Sequence, residues 1–193
     1  MSTDTASYGL HIGPQVKAQA TRQFVTPAAP PPPPTPGEPR RGGFVVKSRA
    51  VQNLQFRATV EGHEFLSDEG LESGGNDAGP APLRYFLAGI MMCHQVMIVK
   101  SATLLDLHLH NLESDITGIS GRVAAGEPGG FIKLLMNVNI ESQNSDDQIK
   151  KIVEQAGERC GAFVTIQRAA SVDLKLTHNG QVIQERTYGV QSK

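Results

Sequence analysis

The stretch that decides the fold reads Gly79-Pro80-Ala81-Pro82-Leu83-Arg84-Tyr85-Phe86-Leu87-Ala88-Gly89-Ile90-Met91-Met92-Cys93-His94. Proline is tolerated in the first turn of a helix, and the run after Pro82 is apolar, with one glycine and no further proline. The pattern predicts a long helix from just after Pro82 to about Leu105. Its apolar residues lie nearly all round the helix axis, which is typical of a buried helix. Cys93, one of two cysteines in the chain, lies inside this helix.

The composition places limits on the class of protein. With 193 residues and a net charge of -1, the chain is long enough for a core but gives no electrostatic reason to expect nucleic acid or a membrane as partner. Residues 1–20 lack a basic region leading into an apolar one, and no window approaches 18 uninterrupted apolar residues. We therefore expect a soluble, cytoplasmic protein. In a reducing compartment, two cysteines are free, catalytic or redox-cycling more often than they form a structural bridge.

Residues 1–43 differ in composition from the rest of the chain. They are rich in Ser, Thr, Ala and Gln and contain the proline run Pro30–Pro34, for which we expect an extended polyproline II conformation. The composition predicts a Pro-rich N-terminal arm at 1–43 followed by a folded domain at 44–193. We expect the arm to lie on a neighbouring subunit, anchored by four apolar residues: Tyr8, Leu10, Ile12 and Phe24.

The order of elements beyond residue 43 predicts an α+β fold. Partly alternating residues predict strands over 44–51, 54–60 and from His63, and a Gly-rich loop follows over 67–80. After the long helix, strands are predicted over 107–116 and 131–140, a helix from the capping box at Ser145 to about Cys160, and a closing hairpin that bends at Asn179-Gly180. Strands in groups separated by two helices are typical of α+β folds.

These residues resemble the OsmC/Ohr family, which includes the osmotically induced and organic-hydroperoxide-resistance proteins. The resemblance rests on the run from Gly74 through Pro82 to Cys93, on Ser67-Asp68-Glu69, and on Ala156-Gly157-Glu158-Arg159-Cys160. It covers roughly residues 44–177. It implies an OsmC-like domain with antiparallel sheets around two long central helices, in an intertwined homodimer with active sites at the subunit interface.

The resemblance also implies a thiol peroxidase that needs no cofactor. The first cysteine of the family attacks a peroxide and the second resolves the product, and these roles fall on Cys93 and Cys160. An external dithiol then restores both thiols. An arginine from an early strand activates the first cysteine, and Arg49 is the nearest candidate, followed by Arg57. Apolar residues around Cys93 would favour a small hydrophobic alkyl or aryl hydroperoxide: Phe86, Ile90, Met91 and Met92.

Two other functions are open at this point. His94 directly follows Cys93, and a nucleophile and base of this kind would make the chain a cysteine-dependent hydrolase of a small aromatic or carbonyl metabolite. Neighbours on a helix point about 100° apart, so His94 need not touch the Cys93 thiol, and we expect a surface or hydrogen-bonded histidine instead. A non-catalytic binding module is the third possibility. His108 and His110 make only half of a zinc site, so we expect them to face solvent and predict no metal.

Overall fold

The computed structural model describes residues 10–25, 44–122, 126 and 129–189. These residues form two compact units, one from residues 44–86 and the other from residues 10–25 and 87–189. This grouping does not follow the predicted boundary at residue 43, because residues 10–25 belong with the larger unit. The division into an arm at 1–43 and a domain at 44–193 stays a prediction.

The described ranges contain helices and strands in the following order: α1 (Pro14–Phe24), β1 (Lys47–Gln52), β2 (Gln55–Val60), β3 (His63–Ser67), α2 (Pro82–Leu104), β4 (Asn111–Gly121), β5 (Gly130–Glu141), α3 (Asp146–Arg159), α4 (Gly161–Gln167), β6 (Ser171–His178) and β7 (Gln181–Tyr188). The α+β class is confirmed. The long helix and the helix that begins after Ser145 lie where the sequence predicts them. The first strand after α2 begins at Asn111 rather than at Leu107.

The smaller unit is an antiparallel meander with the strand order β1-β2-β3. Its two tight turns use residues with positive φ, with values of 44° at Asn53, 49° at Glu61 and 85° at Gly62. Asparagine and glycine adopt this conformation at little cost, so the sequence Gln52-Asn53 is a fair predictor of the first turn.

The loop between β3 and α2 is organised around the carboxylate of Asp68. This residue is 0% exposed, and it accepts hydrogen bonds from the backbone N–H groups of Glu69 (2.9 Å), Asn76 (3.1 Å) and Ala78 (3.3 Å). The hydroxyl of Tyr85 donates to the carbonyl of Leu66 at 2.7 Å. These hydrogen bonds satisfy backbone groups of the loop that no strand or helix pairs. They also hold in place the segment that leads into Pro82.

The larger unit contains a four-stranded sheet in the order β4-β5-β6-β7. The pairs β4–β5 and β6–β7 are antiparallel, whereas β5 and β6 run parallel. Helices α3 and α4 make the long connection that parallel strands require. The prediction of antiparallel sheets did not include this parallel pair, because alternation along one strand carries no information about the direction of its neighbour.

The core of the larger unit joins the buried face of the sheet to α2 and α3. On β5, Leu134, Met136, Val138 and Ile140 alternate with outward residues and are at most 1% exposed. Helix α3 contributes residues at helical spacing, all of them 0% exposed: Ile149, Ile152, Val153 and Ala156. Each fully buried Ile or Val side chain contributes about 1.5–3 kcal/mol. The spacing of the apolar residues in α3 thus predicts the face of the helix that packs in the core.

The start of α3 and the turn between β6 and β7 follow the sequence prediction. At the start of α3, the Ser145 hydroxyl accepts from the N–H of Gln148 at 3.4 Å, and the Ser145 N–H donates to the Gln148 side chain at 3.0 Å. The predicted capping box is thus confirmed. The closing hairpin is also confirmed, with φ of 47° at Asn179 and 79° at Gly180.

Helix α2 is not buried on all sides within this chain. Ile90, Met97 and Ile98 belong to the core, but Met92 and Val96 are 53% and 51% exposed. The expectation of an all-round buried helix is therefore wrong for the single chain. By length and composition alone, α2 is apolar enough to cross a membrane, a test that core helices of soluble proteins also pass.

Helix α1 is an element that the sequence analysis did not predict. Ala20 is 0% exposed, and Lys17 forms an ion pair with Asp106 just after α2. The guanidinium of Arg159 lies 4.8 Å above the ring of Phe24, which packs against the core. Part of the predicted arm thus lies on its own chain.

The predicted anchors of the arm have different outcomes. Phe24 packs against the core of its own chain, and whether it also contacts a neighbouring subunit stays a prediction. Leu10 is 41% exposed and its N–H donates to the carbonyl of His110 at 3.1 Å. Ile12 is half-buried. Tyr8 and the run Pro30–Pro34 lie outside the described residues.

Candidate active site

The two cysteines lie on different elements of the larger unit. Cys93 is half-buried in the middle of α2 and packs at the margin of the core. Cys160 is 0% exposed and is the single residue between α3 and α4. Both are free thiols.

The backbone conformation at Cys160 explains its position. Its φ of -74° and ψ of 110° are extended, so α3 ends there and α4 begins one residue later. The N–H of Cys160 donates to the Ala156 carbonyl at 2.9 Å and completes α3. Its sulfur accepts from the N–H of Phe163 at 3.4 Å, in the manner of a helix N-cap.

The thiol of Cys93 lies close enough to Cys160 to affect the pKa of the Cys160 thiol. The pKa of Cys160 is raised to about 12, first by burial and further by its interaction with Cys93, while the N–H groups of Phe163 and Ala162 oppose the rise. Cys160 is therefore a protonated thiol at neutral pH. The structure brings these two predicted residues together.

His94 is fully buried and lacks a polar partner. It is 0% exposed, and neither of its ring nitrogens has a hydrogen bond to any residue of the described ranges. Its ring lies 4.8 Å from that of Phe163, with an angle of 32° between the planes. Burial lowers the pKa of His94 to about 4, so the imidazole is neutral at pH 7. The expectation of a surface or hydrogen-bonded histidine is wrong, because residue type alone does not reveal which face of an apolar helix is buried.

Arg49 lies on β1 in the smaller unit, where it is exposed and stands opposite Arg57 on β2. Arg57 forms an ion pair with Glu64 at 3.1 Å. Arg49 and Cys93 belong to different units, so the role of Arg49 in activating Cys93 stays a prediction.

No group of three or more His, Cys, Asp or Glu residues is arranged to hold a metal ion within the part of the chain that the structure describes. His108 and His110 are exposed, as expected, although they precede β4 rather than lying in it.

The sequence of this chain can be compared with models of known protein families. The model for OsmC-like proteins matches residues 74–175, more than half of the chain. This chain belongs to the OsmC-like family. The matched stretch includes both cysteines and His94, whereas Arg49 lies before it. A search of curated proteins by sequence gave no match.

Solved structures of other OsmC-like proteins share the fold. An OsmC-like protein from Mycoplasma pneumoniae is 18% identical with a TM-score of 0.65, over 72% of this chain and 98% of that chain. An organic hydroperoxide resistance protein OsmC from Legionella pneumophila is 19% identical with a TM-score of 0.53, over 72% and 98% of the two chains. A protein of that name from Elizabethkingia anophelis is 17% identical with a TM-score of 0.59, over 72% and 97%.

Two aromatic residues of this OsmC-like site were missed from the sequence. Phe163 is 0% exposed and contacts both the Cys160 sulfur, through its N–H, and the His94 ring. The Tyr188 ring stands edge-on to that of Phe163 at 5.2 Å. The spacing of three residues between Cys160 and Phe163 is that of an N-cap and its donor, and this signal would have pointed to Phe163. No comparable local signal marks Tyr188.

Proposed function

We propose that this protein is a thiol-dependent peroxidase that reduces organic hydroperoxides through Cys93 and Cys160. The observation that carries the proposal is the pairing of the two free thiols, which come from separate elements of the fold. Family membership supports it, as do the relatives from Legionella and Elizabethkingia that are described as organic hydroperoxide resistance proteins.

The proposed reaction has three steps. The Cys93 thiolate attacks the terminal oxygen of the hydroperoxide; the O–O bond breaks, an S–O bond forms, and the other oxygen leaves as an alcohol after gaining a proton. Cys160 then attacks the sulfur of the Cys93 sulfenic acid, so that an S–S bond forms and water leaves. An external dithiol reduces the disulfide by exchange. We also propose a cytoplasmic location, where such reductants are available.

The environments of the two thiols support this order of roles. Cys93 is half-buried and Cys160 is 0% exposed, so a peroxide from solvent reaches Cys93 first. The raised pKa of Cys160 keeps this thiol protonated and therefore a poor nucleophile toward peroxide. Cys93 is thus the better candidate for the peroxide-reactive residue.

The surroundings of Cys93 support an apolar substrate. Leu87, Met91 and Cys93 on α2 each pack against the core, and Ile90 on the same helix is 4% exposed. Met92 instead lines a groove of about 520 Å³ beside α1, together with Leu10 and Val16. Met92, which was expected to line the substrate site, therefore faces the groove beside α1.

Titration of the reduced protein with cumene hydroperoxide tests the proposal. One equivalent per chain is expected to remove both free thiols, as counted with a thiol reagent under denaturing conditions. Hydrogen peroxide at the same concentration is expected to react more slowly, since it gains nothing from apolar surroundings. A protein that keeps both thiols after exposure to excess cumene hydroperoxide would contradict the proposed function.

We further propose that the protein is a homodimer. Phe44, Val45 and Val46 are 87%, 69% and 57% exposed beside β1, which is one of the two edge strands of the smaller sheet as described. A cluster of large apolar residues next to a free strand edge is typical of an interface. The family resemblance implies that the partner is a second copy of this chain, intertwined with the first.

A double variant tests the dimer. Val45→Glu with Val46→Glu is expected to weaken association by about 100-fold or more, because it places two charges in an apolar contact. Sedimentation equilibrium measures the dissociation constant. Gln143→Glu, at an exposed polar position outside the smaller sheet, is the control and should leave it within about threefold. A monomeric wild-type protein, or a double variant as dimeric as the control, would argue against this proposal.

The hydrolase alternative has less support. It requires His94 to act as the base for Cys93, but α2 is a continuous helix through both residues and the His94 ring packs on Phe163. A non-catalytic binding module would not need a paired thiol. We therefore give the hydrolase and the binding module no further role in the proposal.

A further inference from the structure

The junction between α3 and α4 determines where the sulfur of Cys160 lies. Cys160 is its single extended residue, and the Phe163 N–H donates to the sulfur at 3.4 Å. The side-chain amide of Gln167 on α4 donates to the carbonyl of Gly157 on α3, also at 3.4 Å. This second bond is longer than the usual range of about 2.7–3.2 Å, so side-chain packing must help to hold the two helices together.

The ring of Tyr188 on β7 contacts both helices at this junction. On the α4 side, it stands edge-on to the Phe163 ring, with 5.2 Å between the centroids and 77° between the planes. Aromatic pairs prefer this arrangement. On the α3 side, it lies over Gly157, where an added Cβ would be 3.3 Å from the ring atom Cε1. Gly157 comes three residues before Cys160 and Phe163 three residues after it, so Tyr188 bridges the two helices that flank the thiol.

The chain on both sides of Tyr188 is attached to the same two helices. The guanidinium of Arg186 lies 4.9 Å from the centroid of the Tyr188 ring and pairs with Glu154 on α3 at 2.9 Å. Gly189 has a φ of 88° and runs so close to α4 that an added Cβ would be 2.5 Å from the Gln167 carbonyl oxygen. The end of β7 is therefore attached to α3 before the ring and to α4 after it.

The second step of the proposed reaction is the one that depends on the position of Cys160. Its sulfur attacks the sulfur of the Cys93 sulfenic acid; the S–S bond forms, the S–O bond breaks, and the hydroxide leaves with the thiol proton as water. Misplacing a reacting group by about 1 Å can slow a reaction by about 100-fold. The first step uses Cys93 on α2 and does not need Cys160.

We propose that Tyr188 is a positioning residue for disulfide formation. Its ring packs against Gly157 and Phe163 and keeps the Cys160 sulfur beside Cys93. Tyr188 acts through these two contacts and takes no part in the chemistry itself. This inference rests on the proposed function and concerns its second step alone.

The test compares the rates of the two steps in the wild type and in Tyr188→Ala. The reduced protein is mixed with one equivalent of cumene hydroperoxide, and the consumption of the hydroperoxide gives the rate of the first step. Dimedone trapping at successive times, followed by mass spectrometry, gives the rate at which the sulfenic acid becomes a disulfide. We expect the first rate to stay within about threefold of the wild type and the second to fall by about 100-fold.

Two further variants distinguish the ring from the rest of the side chain. Tyr188→Phe keeps the ring and its contacts with Gly157 and Phe163, so it should form the disulfide within about threefold of the wild-type rate. Tyr188→Leu fills part of the same volume without a flat ring and covers the case in which Tyr188→Ala fails to fold. It should slow disulfide formation by at least about tenfold.

Ile149→Ala is the control for a general loss of stability. Ile149 is 0% exposed and lies on α3 eleven residues before Cys160, about 16 Å along the helix. The cavity that it leaves should lower the urea midpoint, while the ratio of the two rates stays within about threefold of the wild type.

The outcomes separate the positioning role from the proposed function. An unchanged ratio of rates in Tyr188→Leu, or equal slowing of the second step in Tyr188→Phe or Ile149→Ala, would overturn the positioning role and leave the peroxidase in place. A wild-type protein whose Cys93 is not oxidised by the hydroperoxide would overturn the proposed function, and the role of Tyr188 with it.

Discussion

Cys93→Ser is expected to abolish hydroperoxide reduction, with a loss of at least about a thousandfold in turnover. A serine hydroxyl is similar in size but stays protonated at neutral pH and does not form a sulfenic acid. Removal of a nucleophile typically leaves only the small rate due to binding. Consumption of cumene hydroperoxide in the presence of excess dithiothreitol measures turnover.

Cys160→Ser is the matched comparison, because it removes the other thiol of the same pair. This variant should still consume one equivalent of hydroperoxide in a single turnover and should accumulate a Cys93 sulfenic acid that dimedone traps. Its Cys93 should react at close to the wild-type rate, since Cys160 enters only the second step. If Cys160→Ser lost the first step as completely as Cys93→Ser, the separate roles of the thiols would be wrong.

Asp68→Ala is expected to give the second large effect, a loss of stability of at least about 3 kcal/mol. The carboxylate accepts hydrogen bonds from three backbone N–H groups and is 0% exposed. Alanine leaves these three donors without an acceptor, at a cost of about 1–3 kcal/mol each. Urea unfolding followed by circular dichroism measures the free energy of unfolding.

Glu72→Ala is the control for Asp68→Ala. Glu72 is exposed in the same loop, so its replacement should change the stability by no more than about 0.5 kcal/mol. Asp68→Asn keeps one carbonyl oxygen and should fall between the two. Equal stability of Asp68→Ala and Glu72→Ala would show that the loop backbone finds other partners without loss.

Those parts of the fold that depend on local signals could be predicted from the sequence. The start of α2 follows from Pro82, that of α3 from the Ser145 capping box, and the last turn from Asn179-Gly180. Each signal involves residues within a few positions of one another. The parallel pairing of β5 and β6 has no such signal, because it depends on how the chain returns after α3 and α4.

The short helices were harder to predict for a related reason. Helix α4 has seven residues, too few to show a clear apolar period, and it begins only one residue after α3 ends. Helix α1 is polar along most of its length, and Ala20 is its one buried residue. Such helices are held by contacts with the rest of the fold, among them the contact between Phe24 and Arg159.

The site shows the same division between local and tertiary information. The identity of the two thiols could be predicted, since a chain with two cysteines offers one possible pair. The environment of each thiol could not, because the burial of His94 and the position of Phe163 depend on how α2 packs against the end of α3. The exposed face of α2 could not be predicted either, because nearly every residue of the helix is apolar.

The single extended residue between α3 and α4 makes the site sensitive to the length of one helix. Helix α3 runs for 14 residues between its cap at Ser145 and Cys160. Each residue added to or removed from it would turn the thiol by about 100° and shift it by about 1.5 Å. Substitutions on the outer face of α3 can accumulate without moving the sulfur, but an insertion or deletion cannot. The position of Cys160 therefore sets the length of α3, and only the outer face of the helix can vary in composition.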